Sequence, residues 1–340
     1  MQFGVFYEWP NPEMREWREL FLEGVEEIQH AEAVGFDFCL IAEHHFSNYG
    51  MSPAPLLQAL AIAQHTQRIR IATAVLVLPV WQPLRLAEEV AVADNLTGGR
   101  LICGVGRGYQ PHEMQRFGIP LEETRERFNE TLEVLYRAWT CDRSFTFTGK
   151  YVQVPEPVVV WPKPLQKPHP PLWIAGTSVE TMEVAAHWGM MPITTSLLGA
   201  QGVRAHAASL LHARRRAGLA GAGFELGLQC MTHVADSDAA AREELPRVRW
   251  QQRGGRSLTR LEVPDGRVAA APYEGEPDDE TLLSNVFFGS PETVVEKFRQ
   301  VAALGVTHVS CWMMIGGMPH RKIMRSIELM GREVLPALRD

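Results

Sequence analysis

The chain has 340 residues, 46% of them hydrophobic and 21% charged, with a formal net charge of -7. That balance suits a globular protein with a large core; no long lysine or arginine run offers a nucleic-acid arm, and Arg214-Arg215-Arg216 reads as an exposed helix face. No apolar run reaches the ~18 residues of a membrane span, the amino terminus enters a strand without a basic leader, and five scattered cysteines sit mostly in apolar runs, which together favour a soluble protein of a reducing cytoplasm.

Gln2 to Tyr7 reads as a strand, and Glu13 to Val34 as a helix with apolar Trp17, Leu20, Phe21, Val25 and Ile28 at helical spacing. Gly35 stops that helix, and residues 36 to 42 form an apolar run broken only by Asp37, the mark of a buried parallel strand. A helix follows over Leu56 to His65, with proline in its first turn. Strand Ile69 to Leu78, helix Pro83 to Leu96, strand Leu101 to Gly106 and helix Leu121 to Trp139 continue the alternation. Residues 144 to 171 interrupt it with a hairpin, turning at Gly149-Lys150, and a proline-rich connector. The pattern resumes with strand Leu172 to Ala175, helix Val179 to Trp188, strand Met190 to Thr194, helix Gly202 to Ala217 and strand Leu226 to Val234. A helix begins at Ala239; residues 251 to 282 are polar, rich in glycine and proline and without period, and read as a mobile loop over an active site. Helix Pro291 to Leu304, capped by Ser290, strand Val306 to Met313 and helix Arg321 to Leu338 close the chain. Eight strands alternating with helices predict an α/β fold, a single (β/α)8 barrel over residues 1 to 340 with insertions, ahead of an open doubly wound sheet.

In such a barrel the site lies at the carboxyl ends of the strands. After the second strand stand Glu43, His44 and His45, a polar cluster where an apolar run ends. Adjacent side chains at a strand end point to opposite faces, so the three cannot converge on one metal ion. Either histidine could be a reacting group or a hydrogen-bonded support. After the fourth strand comes Gly104-Val105-Gly106-Arg107-Gly108-Tyr109; glycines admit a ligand close to the backbone, and arginine suits a phosphate. Arg125 and Arg127 open the next helix, where a solvated arginine is the commoner fate. Gly176-Thr177-Ser178 precedes a helix start, which can be an anion site or a plain N-cap.

These residues carry a resemblance. The stretches at 35 to 46 (G-F-D-F-C-L-I-A-E-H-H-F), 71 to 79 (I-A-T-A-V-L-V-L-P) and 99 to 108 (G-R-L-I-C-G-V-G-R-G), with A-G-T-S at 175 to 178 and G-V-T-H-V-S-C-W at 305 to 312, resemble the bacterial luciferase-like flavin monooxygenases nearly end to end. The resemblance implies a (β/α)8 barrel that takes reduced FMN from a separate flavin reductase. With O2 it would form a C4a-hydroperoxyflavin and pass one oxygen to a small organic substrate. His44 matches the family's catalytic histidine, with Glu43 and His45 beside it. Arg107, Arg125, Ser178 and Thr181, with Gly176 and Thr177, match its phosphate site. Ala74 and Val75, joined in relatives by a non-prolyl cis peptide, would lie beneath the flavin ring, with Tyr109 nearby. Relatives form dimers through their early helices, so a homodimer is expected. Two departures stand out: Gly106 replaces a reactive cysteine of the luciferase α chain, and Ser196-Leu197-Leu198 stands where an aromatic is expected. An F420-dependent dehydrogenase on the same barrel, or a flavin-binding protein without catalysis, are the alternatives. Phe6, Tyr7, Trp9, Phe46, Tyr49, Met51, Trp81, Tyr109 and Met314 are the apolar candidates for a substrate mouth.

Overall fold

The alternation of strand and helix builds the fold directly, as seen in a computed structural model that describes residues 1–219 and 225–339. Strand β1 (Gln2–Tyr7) leads to helix α1 (Trp17–Val34), which ends at Gly35 with φ 102°, a backbone conformation that glycine adopts freely. Strand β2 (Phe38–Ile41) and helix α2 (Pro55–Ala63) follow, then β3 (Arg70–Thr73) and β4 (Leu76–Val77). The expected single strand over 69 to 78 is thus two segments, separated by a cis peptide between Ala74 and Val75. Helix α3 (Pro83–Leu96) and strand β5 (Leu101–Gly106) match the sequence reading, and a short helix α4 (Pro111–Arg116) precedes α5 (Thr124–Thr140).

The hairpin insertion is present as β6 (Phe145–Thr148) and β7 (Gln153–Val158), an antiparallel pair apart from the main sheet. Strand β8 (Leu172–Ala175), helix α6 (Val179–Trp188), strand β9 (Met191–Thr195), helix α7 (Gly199–Arg216) and strand β10 (Gly227–Val234) come next. Helices α8 (Asp238–Arg242), α9 (Leu245–Arg260) and α10 (Asp279–Asn285) precede β11 (Phe287–Gly289) and α11 (Pro291–Ala302). Strand β12 (His308–Trp312) is followed by α12 (His320–Leu329), a π-helical passage over Met330–Val334, and α13 (Leu335–Arg339). No helix among the described residues is long and apolar enough to cross a membrane.

Strands β1, β2, β3, β5, β8, β9, β10 and β12 pair in parallel, and the ring closes because β12 pairs β1 while β10 pairs β9. This is a closed eight-stranded (β/α)8 barrel. Strand β4 continues beside β5, and the three-residue β11 extends the sheet beside the carboxyl half of β10. Alternation along β1 divides the core in two layers: Phe3, Val5 and Tyr7 pack outward under the helices, while Phe6 points inward with Leu40, Ala72, Trp173, Met231 and Trp312. Tyr7 and Trp9 therefore belong to the helix-facing layer and do not line the mouth.

The irregular loop expected over 251 to 282 is corrected. Residues 251 to 260 complete α9, residues 279 to 285 form α10, and only the stretch between them lacks a regular helix of more than one turn. The buried face of α9 is built from Leu245, Val248, Gln251, Gly254, Ser257 and Leu258. Half of those positions are polar or glycine, so the helical period is invisible to a hydrophobic count. The stretch is tied to the loop after β2: Asn48 N donates to Gly266 O at 2.8 Å, Val268 N donates to Asn48 Oδ1 at 2.9 Å, and Tyr49 packs with Leu258, Val263 and Val268.

Candidate active site

The carboxyl end of β2 delivers its side chains alternately to two networks. His44 faces one way. Its Nδ1 lies 2.9 Å from Glu113 Oε1, and its Nε2 lies 3.5 Å from Glu8 Oε2. Glu8 follows β1 and Glu113 sits in α4; both are only 2% exposed. Gln251 of α9 donates through Nε2 to Glu8 Oε1 and accepts through Oε1 from Gly316 N at 3.0 Å. Tyr49 sets its ring edge-on to His44, centroids 5.3 Å apart. Residues from three strand-to-helix connections thus meet at one imidazole, and two more connections brace Glu8 behind it.

Burial alone would strip the proton from His44, but the carboxylates of Glu113 and Glu8 outweigh it and hold the imidazole well above its ordinary range. Burial also works to raise Glu113; His44 and the His45 N–H, which donates to Oε1 at 3.0 Å, pull its carboxyl below the usual range. Glu8, wholly buried, is lifted above that range despite His44. The His44 and Glu113 shifts both favour a charged His44 paired chiefly with Glu113.

Glu43 and His45 face the other way, as the two-residue period of an extended chain requires. His45 Nε2 lies 3.0 Å from Glu43 Oε1, so the histidine that Glu43 orients is His45. Glu43 also accepts from Val77 N at 2.8 Å and from Trp81 Nε1 at 3.0 Å, tying the β2 and β3 ends together. Phe117 stands edge-on to His45, at 4.8 Å between centroids.

Beyond β3, Thr73 clasps β5 by donating to Gly104 O at 2.8 Å and accepting from Gly104 N at 2.9 Å. This places the cis Ala74–Val75 peptide against the β5 end. A Cβ at Gly106 would lie 2.4 Å from Val75 Cγ2, so the position admits no side chain unless Val75 moves. Gly108 has φ 74°, and its Cβ would meet Val77 Cγ1 at 2.8 Å; it turns the chain so that Tyr109 emerges as an exposed ring beside the His44 network.

Arg107 after β5 and Arg125 in the first turn of α5 are exposed and nearly unneutralised. Arg107 has no hydrogen bond or ion pair among the described residues, and Arg125 has only Glu180 at 3.9 Å. Both act electrostatically on Glu180, whose carboxyl sits below its usual range, first through its own backbone N–H and Ser178 and then through the arginines. Ser178 caps α6 by accepting from Thr181 N at 3.2 Å, and the two hydroxyls lie 3.1 Å apart. A Cβ at Gly176 would strike Thr181 Oγ1 at 2.7 Å, so glycine keeps a tight cradle before the helix start; Thr177 is exposed beside it. Two exposed arginines and two hydroxyls at a helix start fit a phosphate monoester. Arg127, by contrast, pairs with Glu123 at 2.8 Å and lies over Tyr151, and it stays outside this cluster.

Glu8, Glu113 and Gln251 were not among the sequence candidates. Glu113 and His44 are 69 positions apart, and the pairing of β2 and β5 with β3 brings them together.

The closed barrel carries its polar cluster at the carboxyl ends of its strands, as (β/α)8 enzymes do. The chain matches the family described as luciferase-like monooxygenase over residues 1–308, and it belongs to that family. It is 31% identical over 319 residues to the uncharacterized protein y4vJ of Sinorhizobium fredii, covering 92% of this chain and 90% of that one. It is 27% identical to the oxygenase component of the flavin-dependent trigonelline monooxygenase of Acinetobacter baylyi, covering 100% of this chain and 96% of the relative. Among solved structures, the monooxygenase RslO1 of Streptomyces bottropensis superimposes with a TM-score of 0.85 at 25% identity, over 99% of this chain and 100% of that one.

Proposed function

We propose that the chain is the oxygenase component of a two-component system, taking reduced FMN from a separate flavin reductase and using O2 to oxygenate a small organic substrate with apolar surface. The carrying observation is the phosphate-shaped cluster of Arg107, Arg125, Ser178 and Thr181 at the same barrel end as His44. Relatives that include a named flavin-dependent oxygenase component support the reading. Reduced flavin, when bound, supplies the activation of O2. The chain's own groups do the rest. Arg107, Arg125 and the Ser178 and Thr181 hydroxyls would hold the phosphate, with the backbone at Gly176 and Thr177 approaching it closely. Ala74 and Val75 would support the ring, Tyr109 would border it, and His44 would present a proton from Nε2, the nitrogen that Glu113 leaves unengaged. The cap made by α9 and residues 261 to 278 would keep water out.

Thermal unfolding with FMN, riboflavin and F420 tests this. FMN should raise the melting temperature by mass action. Arg107→Ala removes a charge-assisted contact worth ~1.5–3 kcal/mol, so FMN affinity should fall roughly tenfold to a hundredfold. Riboflavin binding should change little. Stabilisation by F420 with none by FMN would replace this reading by hydride transfer on the same barrel. Equal losses for FMN and riboflavin would place Arg107 away from the phosphate.

A further inference from the structure

His44 is held by two acids that differ in kind. Glu113 approaches Nδ1 at 2.9 Å in a direct hydrogen bond and also accepts the His45 N–H. Glu8 Oε2 stands 3.5 Å from Nε2, a long contact in which the carboxylate acts on that N–H chiefly as a charge. Glu8 cannot drift, because Gln251 grips its other oxygen, and Gln251 is in turn fixed by Gly316 N. An acid held on the Nε2 side at that distance favours the protonated ring.

We propose that Glu8, anchored by Gln251, is a positioning residue that fixes the Nε2 edge of His44 and keeps a proton on that nitrogen. The inference deepens the function proposed above and rests on that reading only for what the N–H then serves. The groups facing His44 are Glu8 from the end of β1, Glu113 from α4, Tyr49 from the loop after β2 and Tyr109 from the β5 loop; α9 reaches it only through Gln251 and Glu8. Glu113 alone would also favour the charged ring, but from the Nδ1 side. Removing Glu8 therefore isolates its share.

The test is nitrogen NMR of the full chain with 15N-labelled histidine and no flavin added, with His44→Asn to assign the resonance. In Glu8→Gln the His44 titration should move down by about one to three pH units, the usual reach of one opposite charge at this range. Glu8→Asp should keep most of the wild-type value. Gln251→Leu should move the titration in the same direction by less, and it serves if Glu8→Gln does not fold. With FMNH2 supplied to the protein in air, Glu8→Gln should retain FMN affinity and lose coupling, releasing more hydrogen peroxide with its basic limb shifted to lower pH. An unmoved His44 titration in both Glu8→Gln and Gln251→Leu overturns the proposal. Failure of the wild type to bind FMN would overturn the functional reading instead, and the titration would still decide the role of Glu8.

Discussion

His44 has one ring nitrogen to spare, and that limits what it can do. With Nδ1 held by Glu113, proton donation must run through Nε2. His44→Ala should keep the fold while product formation falls by ~10²–10⁴-fold, the usual share of a general acid–base group. Hydrogen peroxide, measured beside product under air, should rise in compensation. His45→Ala should cost less activity, because its ring serves Glu43 and the β2–β3 tie. A larger defect in His45→Ala would reverse the two assignments. That the two histidines face opposite ways was legible in the sequence, since strand ends alternate their faces, and His44 was preferred on the resemblance. Glu8 and Glu113 were not: each is a lone acid in an unremarkable stretch, and their meaning comes from contacts across the barrel. At Gly106 the structure gives a physical reason for the missing thiol, because Val75 fills the space a side chain would need.

Elements were readable where their buried faces are apolar and hidden where they are not. α3, α6, β1, β5 and β8 were bounded correctly because their periods and caps are plain. α9 was missed beyond residue 250 because Gln251, Gly254 and Ser257 supply its inner face, and Gln251 is there to reach Glu8. The packing of α1 on α12 holds a titratable pair: Glu27, fully buried, lies 2.8 Å from His320 Nδ1. Burial pushes the Glu27 carboxyl up to about 7, and His320 is raised first by its bond to Glu27. Both folded values lie above the unfolded ones. Each contribution is therefore fully present below the unfolded value and is lost as pH rises through the folded value. Melting temperature should decline between about pH 5 and 8, with Glu27 accounting for on the order of 2–3 kcal/mol. Glu27→Gln should flatten that slope in a calorimetric pH series; an equally steep slope would remove Glu27 as its source.

At the scale of the molecule, the barrel itself was the most legible feature, because eight strand–helix units with short connections leave few other closures. What the strands do not announce is how the outer faces are used. The outer faces of α2 and α3 expose Leu57 at 70% and Leu96 at 62%. We propose that this face pairs two copies of the chain. Light scattering at micromolar concentration should then report a dimer, and Leu57→Glu with Leu96→Glu should give a monomer; a monomeric wild type would refute the pairing.

The bonds from Asn48 to the backbone at 266 and 268 have a consequence for how the protein breathes. They join two segments 220 positions apart into one cooperative unit, with the Tyr49 cluster between them. The amide protons of Asn48 and Val268 should exchange with solvent at a common rate, because neither bond can open without exposing the other. Access to the barrel mouth would then be an all-or-none event, and the loop beside His44 would loosen only in the moments when the site is open to water.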